Sequence, residues 1–199
     1  VLALTNPGIT KGGATKALNW TITEDYSSSS QTMSVEFFNG STWSSVGTTA
    51  ATNGPLSAAA FTINLNAPSI NVTTAKFRVS YTDLAGNATT QESTAFEIDS
   101  IAPSLTNTAP LENAYVLTSD TFTGACEPAS TINFSGDIMA SFNITCPGGG
   151  SYSQTVNFSS GDAPKTVVIV ASDAAGNTTT INRTVTVDTV APSLARTSG

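Results

Sequence analysis

The sequence predicts an all-β protein made of two β-sandwich modules in tandem, on three observations. Asp83-Leu-Ala-Gly-Asn87 recurs as Asp173-Ala-Ala-Gly-Asn177, and Ile98-Asp-Ser-Ile-Ala-Pro103 recurs as Val187-Asp-Thr-Val-Ala-Pro192. That is a repeat at a domain-sized period of about 90 residues. Apolar residues alternate with polar ones in short runs, as half-buried strands require, with turn signals every ~8–12 residues. No window carries the i, i+3, i+4 spacing of an amphipathic helix. The predicted boundaries are 1–101, 102–191, and 192–199 as the opening of a further repeat or a tail. Leu4-Thr-Asn-Pro and Leu105-Thr-Asn-Thr open the two modules and Leu194-Ala-Arg-Thr follows them, so the chain is expected to be an excerpt from a longer array.

In the first module a short strand is expected near Leu2–Leu4. Leu18, Trp20 and Ile22 then alternate with Asn19, Thr21 and Thr23, which places Trp20 in the core facing the opposite sheet. Met33–Phe38 follows, and Asn39-Gly40 predicts a two-residue type I′ hairpin, because both positions tolerate positive φ. Trp43 and Val46 return on the next strand. The stretch Thr48–Ala60 reads as a long connection, and Phe61–Leu65, Phe77–Tyr81 and Ala95–Ile98 complete about seven strands. The second module repeats the scheme with Phe122–Cys126, Thr131–Phe134, Phe142–Cys146, Tyr152–Phe158, Lys165–Ser172 and Thr180–Val187. Strands this short bury an apolar face only if two sheets close on each other. Asp83 and Asp173 are predicted to start Asx-type turns in the last hairpins, with Gly86 and Gly176 in the left-handed region.

The chemistry that composition excludes is broad. Only 11% of residues are charged, the net charge is −7, and the seven Lys and Arg never cluster, so the cationic footprint of nucleic-acid binding is missing and an anionic membrane surface is disfavoured. The longest apolar run, Val167–Ala171, has the length of a strand and not of a membrane span. Histidine is absent, which removes the commonest general base and metal ligand. Cys126 and Cys146, matched within one module of a chain rich in Ser and Thr, read as a disulfide from an oxidising compartment; the alternative is two buried thiols packing as small apolar groups.

The motifs Gly124-Ala-Cys126-Glu-Pro-Ala-Ser130, Lys165–Ile169, Asp173–Asn177 and Val187–Pro192 resemble bacterial immunoglobulin-like (Big-type) repeats of large surface adhesins and biofilm-associated proteins. The first module adds Leu18–Ile22, Phe37–Trp43, Phe77–Ser80 and Asp83–Asn87. The resemblance implies immunoglobulin-like Greek-key sandwiches, extracellular at a bacterial cell surface, with a role in cell adhesion. The first module, without cysteines and with its longer middle region, belongs to a different subtype from the second.

Each candidate site has a sharp and a plain reading. Asp99, Glu127, Asp173 and Asn177 offer the oxygens a calcium ion prefers, and the plain reading is that each caps its own turn. Trp43 with Phe38 forms an aromatic platform for sugars, or caps the end of the core. The sequons at Asn19, Asn39, Asn143 and Asn177 are what chance yields in a Ser/Thr/Asn-rich chain, and no glycan is assigned. Glu24, Asp25, Asp120 and Glu127 are isolated carboxylates with no implied pairing, and no phosphate-binding glycine loop precedes a helix. The expected function is a non-enzymatic stalk or spacer without a cofactor, kept extended by short proline linkers. The alternatives are a binding head that recognises a carbohydrate or protein of another cell through Trp43 and Thr48–Ala60, and an accessory module of a secreted hydrolase.

Overall fold

The computed structural model describes residues 1–28 and 30–196. Every described element is a strand, and the chain separates into two compact units, Val1–Ile101 and Ala102–Gly199.

Unit 1 contains β1 (Leu2–Thr5), β2 (Thr10–Lys11), β3 (Thr15–Ser27), β4 (Thr32–Phe38), β5 (Trp43–Ala50), β6 (Gly54–Asn66), β7 (Val72–Thr82), β8 (Ala88–Glu92) and β9 (Phe96–Asp99). One sheet is β1-β3-β6; the other runs β2-β9-β7-β4-β5, with β8 also on β7. Consecutive strands cross between sheets as β3 to β4, β5 to β6 and β6 to β7, an immunoglobulin-like Greek-key order. The alternation places Leu18, Trp20 and Ile22 inward against Met33, Val35, Phe37, Phe77 and Val79. Trp20 Nε1 donates to Met33 Sδ of the facing sheet at 3.2 Å, and its ring stacks on Phe61 at 6.1 Å.

Unit 2 contains β10 (Ala114–Val116), β11 (Ser119–Ala125), β12 (Thr131–Gly136), β13 (Phe142–Thr145), β14 (Ser151–Asn157), β15 (Ala163–Ser172) and β16 (Thr178–Val187). Its sheets are β10-β16-β15-β12-β13 and β11-β14, the latter extended by bridges from Leu105 and Ala109 to Cys126 and Thr123. The same Greek key is thus formed twice. The core packs Phe122 edge-on to Phe134, with Tyr152, Val167 and Ile169 around them. Residues 188–196 carry no strand, and of the expected further-repeat segment 192–199, Thr197–Gly199 lie outside the described residues.

Three expectations are corrected. Asn39-Gly40 does not make a two-residue turn: Phe38 pairs with Trp43, leaving a four-residue loop. The Asn39 side-chain oxygen accepts from the Ser41 and Thr42 amides at 2.9 Å, and only Gly40 has positive φ, because this cap satisfies the loop without a left-handed Asn. Thr48–Ala60 is not a long loop either. Its ends belong to β5 and β6, and only Ala51–Asn53 connect them. Cross-strand pairing on β3 draws the Ala-rich stretch into a strand, with register shifts near Ala58, which sits at φ 51°. Finally, β2, β8 and β10 were not expected; they are two to five residues long, and their order comes from pairing on longer strands.

Candidate functional site

The duplicated hairpin loops are built alike. Asp83 Oδ1 accepts the Ala85 and Asn87 amides at 2.8 and 2.7 Å, and Oδ2 accepts Asn87 Nδ2 at 2.7 Å. In unit 2, Asp173 Oδ1 accepts the Asn177 amide and Oδ2 accepts Asn177 Nδ2, both at 2.9 Å. Gly86 and Gly176 sit at φ 91° and 88°. The Asn87 side chain, then the neighbouring amides, hold the Asp83 carboxyl below its usual range.

The four residues considered for calcium are therefore engaged locally. Asp99 Oδ1 accepts the Ile101 amide at 2.9 Å, Asp173 and Asn177 hold each other, and Glu127 Oε2 accepts the Ser104 amide at 3.4 Å. Among the described residues no three His, Cys, Asp or Glu side chains converge on a point where a metal would sit. Glu24 accepts from the Tyr26 amide and Asp120 from the Thr121 amide, so these carboxylates also serve their own backbone.

Cys126 and Cys146 form a disulfide with Cα atoms 6.0 Å apart. Cys126 continues β11, bridged to Leu105, while Cys146 continues β13 through Cys146 N–Ser130 O and Ala129 N–Cys146 O. The bond ties the two sheets of unit 2 together beside its opening segment. Only the assignment of each cysteine to a sheet reveals this, since sequence spacing gives loop length alone.

Trp43 neither caps the core nor offers a bare platform. Phe37 faces inward, so Phe38 and its cross-strand partner Trp43 lie on the outer face of the sheet, their rings 5.2 Å apart. The Arg78 guanidinium covers the Trp43 ring at 4.3 Å and is held by Glu36 at 2.6 Å. That ion pair lowers the Glu36 pKa and raises the Arg78 pKa.

A concave feature not anticipated from the sequence lies between β5 and β6. It is a cleft of about 360 Å³ lined by Phe37, Val46, Leu65 and Pro68 together with Asn39, Ser44, Ser45, Asn64 and Asn66. A legible signal existed: from Phe37 to Ala75 the chain has no charged residue.

No family model and no curated protein matches the chain. Among solved structures it is similar to a tetra-tandem repeat in the extending region of a large adhesion protein (17% identity, TM-score 0.41, covering 95% of this chain and 49% of that one). It is also similar to a Ca²⁺-stabilized adhesin that helps an Antarctic bacterium reach out and bind ice (19%, 0.42, 94% and 47%). A third is a 1.5-MDa bacterial ice-binding adhesin (17%, 0.43, 94% and 62%). Each of these neighbours is an adhesion protein. The chain spans about half to three fifths of their lengths. No helix among the described residues is long and apolar enough to cross a membrane.

Proposed function

We propose that this chain is a non-enzymatic, load-bearing spacer of an extracellular surface adhesin or fibre. The observation that carries the reading is the duplication: one Greek-key unit is formed twice, and each copy ends in the same short Asp-Ser/Thr-Ile/Val-Ala-Pro segment. Each unit has its own core, so each resists extension by itself. Proline fixes φ in the connecting segment and limits its freedom. The disulfide supports an oxidising, extracellular setting. In this reading 192–199 is the start of a further unit.

Single-molecule force spectroscopy on the intact chain tests it. Two separate unfolding events are expected, each releasing roughly 3.3–3.6 Å per residue. The oxidised form of unit 2 should withhold the Cys126–Cys146 loop, about 70 Å of extension that reappears on reduction. One concerted event for the whole chain, or yielding of either unit at negligible force, would contradict a load-bearing role.

A further inference from the structure

We propose that the outer edge of β6 in unit 1 pairs, antiparallel and about a two-fold axis, with the same edge of a second copy of this chain. The direction of its backbone groups is fixed from both ends. Thr23 and Val1 exchange N–H···O bonds, so on β3 the peptide groups of Thr23 face β1, and by alternation those of Ile22, Trp20, Leu18 and Lys16 face β6. Their partners on β6 are Ala59, Phe61, Ile63 and Leu65. At the far end Ala67 is likewise turned inward, its amide donating to the Ala14 carbonyl and its carbonyl accepting from the Gly13 amide. The amides and carbonyls of Ala60, Thr62, Asn64 and Asn66 therefore all point away from the sheet. Among the described residues no hydrogen bond reaches them, and no strand pairs with β6 on that side.

The other long edge strands are obstructed. On β5 a bulge at Val46 breaks the ladder with β4, and on β14 the Asn157 carbonyl is already taken by the Met139 amide. From Ala59 to Asn66, β6 carries no such block: its register with β3 is unbroken, and it contains no proline and no charged residue.

The occupant is a second copy because the edge is complementary to itself. The chain has a net charge of −7, so two copies repel unless they meet along a seam without charge, and β6 lies within the uncharged stretch Phe37–Ala75. A two-fold register centred on Ile63 sets Thr62 opposite Asn64 of the partner subunit and Ala60 opposite Asn66 of the partner subunit. Each such pair joins outward-facing groups that exchange two hydrogen bonds. On the outer face the exposed Thr62 and Asn64 side chains adjoin across the seam. On the inner face Ile63 meets Ile63 of the partner subunit, and Phe61 meets Leu65 of the partner subunit. That contact covers apolar surface which one copy leaves half-open: Phe61 and Ile63 are partly buried, whereas their β3 partners Trp20 and Leu18 are 1% and 0% exposed. A single strand pair makes a small interface, below ~1,200 Å² in total, so the association is weak, with Kd in the ~10 µM–1 mM range.

The test is sedimentation equilibrium of the whole chain from ~5 µM to ~1 mM. The weight-average mass should climb from 20.3 kDa towards twice that value and go no further. Thr62→Lys combined with Asn64→Lys changes two exposed side chains, sets like charges opposite each other across the seam and should weaken association at least ~10-fold. Mixing that variant with Thr62→Glu, Asn64→Glu should restore pairing, because the register then opposes lysine to glutamate. Asn64→Pro removes an outward N–H that β3 does not use and should weaken association independently of charge. Ser153→Lys with Thr155→Lys, on β14, should leave association unchanged. The proposal is overturned if the mass stays at 20.3 kDa up to ~1 mM, which would leave this edge to a segment of a different protein. It is equally overturned if the mass grows past two copies, if the β6 variants that keep the wild-type melting transition associate as before, or if the β14 variant abolishes association. None of these outcomes bears on the spacer reading, which the force measurement tests separately.

Discussion

Replacing both cysteines of unit 2 with alanine isolates the contribution of the disulfide. Cys126→Ala with Cys146→Ala opens a loop closed across a sequence separation of 20. Chain entropy for a loop of that length gives about 3 kcal/mol. For a domain of this size, 1 kcal/mol corresponds to a Tm change of roughly 4–8 °C, so the unit 2 transition should fall by about 12–24 °C. Both cysteines are buried, at 4% and 2% exposure, so the double variant is a cleaner perturbation than reductant, which must first reach the sulfurs. The chain contains its own control. Its two tryptophans, Trp20 and Trp43, lie in unit 1, so tryptophan fluorescence follows that unit while calorimetry sees both. The expected result is a lowered calorimetric transition for unit 2 beside an unmoved fluorescence transition. A drop of less than ~1 kcal/mol would refute the stapling role given to this bond, and a parallel fall in the fluorescence Tm would refute the independence of the units.

Three further outcomes are expected. Gly124→Ala places a Cβ against the Thr106 carbonyl backbone, with the Tyr152 hydroxyl 2.9 Å away, and should cost unit 2 about 1–3 kcal/mol by urea denaturation; an unchanged midpoint would mean that the 105–109 segment yields freely. The Asp83 carboxyl has its pKa lowered in the fold from 3.8, so its contribution is present above that value and is lost as pH falls through the lower folded pKa. Asp83→Asn should therefore lower the unit 1 Tm at pH 7 and reduce its loss of stability below pH ~4, and parallel Tm-versus-pH curves for the two proteins would contradict this. Because Asp99, Asp173 and Asn177 serve their own turns, chelator should leave both melting transitions in place; a clear rise of either transition with added calcium would assign those oxygens to a cation instead.

Much of the fold was legible because burial and period coincide. Leu18, Trp20 and Ile22 alternate cleanly with polar neighbours and are buried, whereas in the continuous apolar run Val167–Ala171 only the structure shows that Val167, Ile169 and Ala171 are the fully buried ones. The paired aromatics Phe37 and Phe38 were harder. Adjacent residues on a strand face opposite ways, and nothing in the pair says which faces in. The core chose Phe37, which sent Phe38 and Trp43 outward to Arg78. The cleft was missed for a similar reason: it exists only because β5 and β6 are edge strands of opposite sheets.

By itself the sequence determined strand periodicity, the duplicated Asp-x-Ala-Gly-Asn turns and the presence of a cysteine pair, because these depend on side-chain alternation and on backbone preferences spanning a few residues. Only the tertiary structure decided that the disulfide joins two sheets, that Thr48–Ala60 is mostly strand, and that an uncharged cleft opens on one flank. Those features depend on which distant segments lie side by side, and the energy that selects among such pairings resides in contacts between strands, not within any one of them.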